Sequence, residues 1–481
     1  MNQNKYLHDM MNSELEDIVG PDGVSDKEVD LDAHMSDMWY IPRVHIDRGF
    51  EASKPEFIAY PRNTDEVSRI VKVANRFRVP IVPSGGGAGD TGGALAPYGG
   101  IIVDVKKLEK VLRIDETSLT VAVQTGILQV DLEDLLSEKG YTLGHFPASF
   151  YCSTLGGFLA NRGSGVLSTL YGKIDRMVLS LELVLPTGEI VRTPPVPDHS
   201  TGPDLNSLFL GTEGTLGIIT EATLKLQYAP EVRRFTAFLF DDLHRALEAG
   251  RKIMLKRLRP CVIRVYDEQD TREWVKKVLG FERSGSYIIV GFDGPKEMVE
   301  LQEKLAKRII EEERGEDLGT KWGQQWWDHR YDFYFPPNFL ESTPYMHGVI
   351  DTVSTFSNIE KIYREMKKAV EGEFAKWDIS FMGHFSHWYD YGAILYPLFI
   401  VKDPPRDPDE ASKLYNDIFN TGVRVALANG GLVNEHHGIG LKLSRFMPEQ
   451  YGLGFDILKK IKRVLDPNNI MNPGKLGFGG F

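Results

Sequence analysis

The chain holds only two cysteines in 481 residues, Cys152 and Cys261, and no Cys-x-x-Cys pair. A disulfide framework is therefore excluded, and the usage fits a reducing compartment. Basic residues are in deficit: 56 Lys and Arg stand against 68 Asp and Glu, a formal net charge of −12. No basic stripe offsets phosphate repulsion, so a nucleic-acid partner is not expected. Long apolar runs are missing as well. The longest, Tyr391–Val401, is too short to span a bilayer and is interrupted by Pro397. The opening residues, MNQNKYLHDMMNSELEDIV, are polar and acidic and lack the apolar centre of a signal peptide. Together these absences predict a cytoplasmic protein without a transmembrane segment; a peripheral membrane contact stays open.

What is present is an ordinary enzyme-like composition, 42% hydrophobic and 26% charged, on a chain long enough for more than one domain. The informative stretch is residues 83–93, Pro-Ser-Gly-Gly-Gly-Ala-Gly-Asp-Thr-Gly-Gly, directly after the apolar run Val79–Val82. A strand ending in glycines brings bare backbone N–H groups up to a ligand, an arrangement suited to a phosphate or pyrophosphate. The run contains Gly87-x-Gly89-x-x-Gly92, but a dinucleotide fingerprint must open a helix. Here Pro97 and Gly99-Gly100 leave no room for one before the strand-like Ile101–Val105. The NAD reading fails on that context. A plain Gly-rich turn would read the same way in isolation.

Two later loops weigh against the plain turn. Residues 147–165 read PASFYCSTLGGFLANRGSG, and residues 200–221 read STGPDLNSLFLGTEGTLGIITE. In this order the three loops resemble the vanillyl-alcohol-oxidase or PCMH-type FAD-binding domain. The closing segment Leu465-Asp466-Pro467-Asn468-Asn469-Ile470-Met471-Asn472-Pro473-Gly474-Lys475-Leu476 adds a fourth match.

The resemblance implies an α+β protein: a two-subdomain PCMH-type FAD-binding domain plus an α+β cap, or substrate, domain. The expected organisation is a helical lead-in over 1–51, the FAD domain over 52–228, the cap over 229–440, and a segment 441–481 returning to the FAD domain. Its cofactor would be FAD. Pro83, Ser84, Gly85, Gly86, Gly87, Ala88, Gly89 and Asp90 would hold the pyrophosphate. Pro147, Ser149, Ser153, Thr154, Gly156, Gly157 and Ser164 would run along the flavin and ribityl chain, with Arg162 offsetting pyrophosphate charge. Glu213, Gly214, Ile218 and Ile219 would lie near the adenine or ribityl side. The glycine loop has no histidine, so the histidyl flavin link common in the superfamily is not expected. Cys152 lies near the place where berberine-bridge-like relatives carry a cysteinyl link, although a small buried apolar residue is the simpler reading.

Helical spacing is legible within the first unit. Val67, Ile70, Val71, Ala74 and Phe77 recur with a helical period, with Thr64 as the expected N-cap. Asp131–Gly140 reads as a second helix, and Leu119–Gln124 and Val178–Leu185 read as strands.

The substrate side centres on Asn434-Glu435-His436-His437-Gly438-Ile439-Gly440. An imidazole beside a flavin can take a hydroxyl proton, and a neighbouring carboxylate raises its basicity. His384, His387, His436 and His437 could instead ligate a divalent metal. The His-Gly turn resembles glycolate and D-lactate dehydrogenase subunits. Leu170–Asp175, Ser200–Asp204 and Tyr389–Tyr396 resemble alkylglycerone-phosphate synthase. That likeness implies active-site roles for Arg264, Tyr396 and His436, with Glu435 and His437 alongside. Glu435 replaces the first of the synthase's three histidines, and His384 stands where the synthase carries an arginine.

The expected function is FAD-dependent oxidation of a hydroxy acid or alcohol. Tyr396 or His436 would take the hydroxyl proton, Arg264 would grip the substrate, and hydride would pass to flavin N5. The alternative is ether formation by FAD without net redox change. A flavin-binding carrier subunit would not need the Arg-Tyr-His set. The implied partners are a small-molecule substrate and an electron acceptor: O₂, a quinone or an electron-transfer protein. The sequence leaves that choice open, along with a homodimeric state.

Overall fold

The helical spacing after residue 63 becomes the α-helix Thr64–Phe77 in the computed structural model of the protein, which describes residues 3–50, 52–333 and 345–481. Val67, Ile70, Val71 and Ala74 are buried on its inner face. The cap lies one residue earlier than expected. Asn63, in extended backbone, accepts the Glu66 N–H at 2.9 Å, and Glu66 reaches back to the Arg62 N–H at 2.7 Å, a reciprocal cap. Thr64 is buried and gives its hydroxyl to Glu182 instead. The second expected helix is Gln129–Ser137; Gly140, with φ at 79°, belongs to the turn beyond it.

The helix Thr64–Phe77 leads into Ile81–Ser84, which pairs in parallel with Ile101–Asp104. These strands complete a four-stranded sheet with Phe57–Ala59 and Val24–Ser25. A five-stranded antiparallel sheet follows, ordered Val111–Asp115, Thr120–Gln124, Ile218–Lys225, Val178–Val184, Ile190–Arg192. Ile218–Lys225 alternates buried and less buried residues along its length, as a one-face-buried strand does.

The third sheet is the largest among the described residues. Val232–Phe240, Ser286–Gly294, Val262–Tyr266, Ser380–Tyr389 and Gly392–Val401 run side by side, all antiparallel. The helices Leu243–Leu255, Lys296–Glu312, Phe356–Glu373 and Pro408–Ala428 supply apolar faces to a core that includes Ile253, Ile309, Ile362, Phe385 and Phe419. The C-terminal residues pack back on the first sheet: Ile81 N–H donates to Ile470 O, and Asn472 N–H donates to Ile81 O, both at 2.7 Å. No helix among the described residues is long and apolar enough to cross a membrane.

Two local features aim side chains at one place. Tyr266 pairs with His384, and His384 with Tyr396, so three neighbouring strands place these residues in one cross-strand row. The register then slips between Ser386 and Trp388, where His387 has φ at 46°. A bulge of this kind re-aims a side chain; His384, Ser386 and His387 all reach the same cavity.

Candidate active site

A continuous cavity runs from the glycine loop to the third sheet. Pro83 through Asp90 line it, as do Pro147, Ser149, Ser153, Thr154, Gly157, Ser164, Glu213, Gly214, Ile218 and Ile219, and Arg264, His384, His387, Tyr396, His436 and His437. Sequence reasoning thus names about half of the residues that line the wall. Two of its residues are turned away. Arg162 ends the helix Leu155–Asn161 in left-handed backbone and donates to Ser207 O at 2.9 Å. Glu435 lies behind the histidines and is absent from the lining.

The glycines have different jobs. A Cβ on Gly86 would overlap the Cys152 carbonyl, and one on Gly85 would overlap Thr154 Oγ1. These two glycines let the first loop pack on the second. Gly87 is the one that faces open space: its φ is 65°, and nothing lies within 4 Å of a Cβ placed there. Cys152 contributes only backbone to this packing. Its thiol faces Ser149 O at 3.6 Å, burial pushes its pKa up, and it does not line the cavity.

An N-terminal segment that sequence reasoning passed over completes the wall. Asp37, Met38 and Tyr40 line the cavity beside the glycine loop. Met38 N–H donates to Gly89 O at 2.8 Å, and Asp37 accepts Gly92 N–H at 2.8 Å. Burial raises the Asp37 carboxyl to about 7. From the other side, Lys442 pairs with Asp90 at 2.9 Å.

The histidine turn is fixed by two acids. Asp351, absent from the sequence reading, accepts His437 Nδ1–H at 2.7 Å, Asn434 Nδ2–H at 2.6 Å and the Glu435 N–H at 2.8 Å. Burial opposes a charge on His437, but Asp351 and then Asp90 outweigh it and raise its pKa to about 9. His437 is therefore an imidazolium at neutral pH, a donor rather than a base. Glu213 is the second acid. It accepts Ile439 N–H at 2.5 Å and Gly440 N–H at 2.7 Å, and burial lifts its own carboxyl to about 7.

Glu435 is a buried hub. It receives the Tyr389 hydroxyl at 2.5 Å and the Ser164 hydroxyl at 3.1 Å, and it pairs with Lys173 Nζ at 2.9 Å. Burial opposes its charge, yet Lys173 and the adjoining imidazoles hold its pKa well below the usual carboxylate range. His436 Nδ1 lies 2.7 Å from Glu435 Oε2. His387, Glu435 and His436 are close enough to share one cation, whereas His384 and His437 stand outside that group. Lys173 already supplies a positive charge to the same carboxylate.

His384 has a different setting. Arg264 Nη2 donates to its Nε2 at 2.6 Å, and its Nδ1 faces Asp270 Oδ2 at 3.0 Å. Burial and then Arg264 hold its pKa well below the ordinary histidine value, so the ring is neutral. Tyr396 stacks on it and lies 3.5 Å, hydroxyl to Nε2, from His437.

Residues 55–194 match a family model described as FAD binding domain, and residues 229–476 match one described as FAD linked oxidases, C-terminal domain. The chain belongs to the FAD-linked oxidase family. Its cofactor is FAD. The cavity fits that group: the glycine loop lines it, and Gly87 leaves the approach open. This FAD-linked oxidase-family chain is 32% identical over 470 residues to the alkyldihydroxyacetonephosphate synthase of Trypanosoma brucei brucei, covering 92% of this chain and 75% of that one. It is 30% identical over 437 residues to the glycolate oxidase subunit GlcD of Bacillus subtilis, covering 88% and 89%. A solved alkyldihydroxyacetonephosphate synthase structure superposes with a TM-score of 0.81 at 27% identity, covering 97% and 86%. Substrate-bound p-cresol methylhydroxylase superposes with a TM-score of 0.79 at 19% identity, covering 100% and 98%, a likeness of fold alone.

Proposed function

We propose that the protein is an FAD-dependent oxidoreductase acting on a hydroxyl-bearing substrate, a hydroxy acid or an alcohol. The observation that carries this reading is one cavity that joins the glycine loop to Arg264, Tyr396, His436 and His437. Bound FAD supplies a two-electron acceptor. His436, backed by Glu435, takes the hydroxyl proton. His437, kept protonated by Asp351, donates to the substrate oxygen or its carboxylate. Tyr396, between His384 and His437, orients that oxygen, and Arg264 holds the substrate's anionic end through its guanidinium fork. The carbinol C–H and O–H bonds break, C=O forms, and an external acceptor takes the two electrons onward.

A second reading, ether formation without net redox change, is favoured by the 32% identity to the trypanosomal synthase. Arg264, His384 and Tyr396 would then serve an ether-forming site. Strict anaerobiosis separates the two. Oxidation predicts that a panel of hydroxy acids and alcohols bleaches the flavin once and then stops until an acceptor is added. Repeated turnover without an acceptor would overturn it in favour of the synthase reaction.

A further inference from the structure

The third-sheet end of the cavity carries more aromatic surface than proton transfer uses. Arg264 and Tyr266 are two apart on the strand Val262–Tyr266, so their side chains leave the same face. Arg264 Cζ lies 5.4 Å from the Tyr266 ring centroid. The Tyr266 hydroxyl accepts Trp326 Nε1–H at 2.7 Å, which fixes the orientation of the ring. Phe333 stacks 6.0 Å from that ring with planes 23° apart. Trp274 reaches the same cavity from Thr271–Val275, a π-helical turn directly after Asp270. Such wide turns are rare, and frequent at functional sites. Asp270, the partner of His384, closes the short helix Glu268–Asp270 directly before that turn, and both it and Trp274 line the cavity.

A cation beside one aromatic ring, with two further rings lining the same cavity, selects a ligand of matching make-up. We propose that the substrate is a 2-hydroxy acid with an aromatic side chain, its carboxylate on Arg264 and its ring against Tyr266, Trp274 and Phe333. This rests on the oxidation reading above, and the product is the corresponding 2-oxo acid. The bond changes, the proton acceptor and the fate of the two electrons are those already given. An apolar pocket discriminates about tenfold or more for each methylene-sized group it accommodates. Phenyl against methyl should therefore separate by at least about tenfold.

The test uses the FAD-loaded enzyme and two measurements. First, acetate and phenylacetate, which carry no hydroxyl to oxidise, are titrated against the flavin absorbance. Phenylacetate should bind at least about tenfold more tightly. Second, racemic 3-phenyllactate, lactate and glycolate are compared by kcat/KM. Phenyllactate should lead, and Trp274→Ala and Phe333→Ala should each shrink its advantage over lactate. Equal binding of the two acids overturns the proposal, as does a preference for lactate or glycolate. An unchanged phenyllactate-to-lactate ratio in both folded variants overturns it too. Tight phenylacetate binding with no flavin bleaching by any hydroxy acid has a separate meaning: the aromatic site stands, and the oxidation reading falls together with the hydroxy-acid assignment.

Discussion

His384 and Tyr396 are cross-strand partners on adjacent antiparallel strands, and their rings stack 4.7 Å apart with planes 17° from parallel. The neutral imidazole is held on both edges, by Arg264 on Nε2 and Asp270 on Nδ1. Tyr396 is thereby fixed against a rigid, uncharged surface on one side, with the charged His437 on the other. A phenol placed this way is oriented before the substrate arrives, which is what a proton-handling site requires.

Tyr396→Phe and His436→Ala should each lower the chemical step by roughly 10²–10⁴-fold while leaving the flavin bound. Their rings are 5.9 Å apart, so they are expected to act as a unit. The double variant should then lose about as much as the worse single one. Single-turnover flavin reduction measures this, and near-normal rates in both single variants would place the acid–base group elsewhere.

The protonation of His437 has a stability signature. Its folded pKa of about 9 lies above the ordinary 6.5, so its contribution is complete below pH 6.5 and is lost as pH rises through 9. The size is up to about 3 kcal/mol. The melting temperature of the wild type should fall across that window more steeply than that of His437→Gln. Parallel falls in the two proteins would mean that the ring is not charged.

Neighbouring glycines should behave differently. Gly86→Ala drives a methyl into the Cys152 carbonyl and should lower stability by about 1–3 kcal/mol as well as releasing FAD. Gly87→Ala meets open space but keeps a left-handed backbone, a strain of about 1–2 kcal/mol. It should fold and bind FAD weakly. Thermal melts paired with flavin titration separate the two; matched behaviour would mean that Gly87 does not face the cofactor.

Chelation should leave turnover unchanged. Lys173 already neutralises Glu435, so His387, Glu435 and His436 do not need a cation to hold their arrangement. Dialysis against EDTA followed by metal analysis and assay checks this. Loss of activity that zinc or manganese restores would make the cluster a metal centre.

The sequence-legible part of the site is its local part. Gly85 and Gly86 announce themselves because close packing admits no side chain, Gly87 because its backbone is left-handed, and the His436-His437 pair stands out by its density. Thr64–Phe77 is readable because one face repeats at helical spacing. Asp351 is invisible in that way. It is a lone acid between two short strands, and its role exists only once the chain brings residues 434–437 to it. The aim of His387 depends on a one-residue bulge, and composition carries no trace of such a register slip. Glu435 illustrates the converse: its position in the motif is plain, but its burial behind His436, on Lys173, is set by residues distant in the sequence.

The matched FAD binding region begins at residue 55, yet Asp37, Met38 and Tyr40 already form part of the cavity wall. Tyr40 continues into the helix Tyr40–Asp47 and stacks on Tyr415 of Pro408–Ala428 at 5.0 Å. One short run of chain therefore touches both the glycine loop and the far helix layer. A chain trimmed to the matched region alone would lose that stretch of cavity wall together with its bridge to the helix Pro408–Ala428.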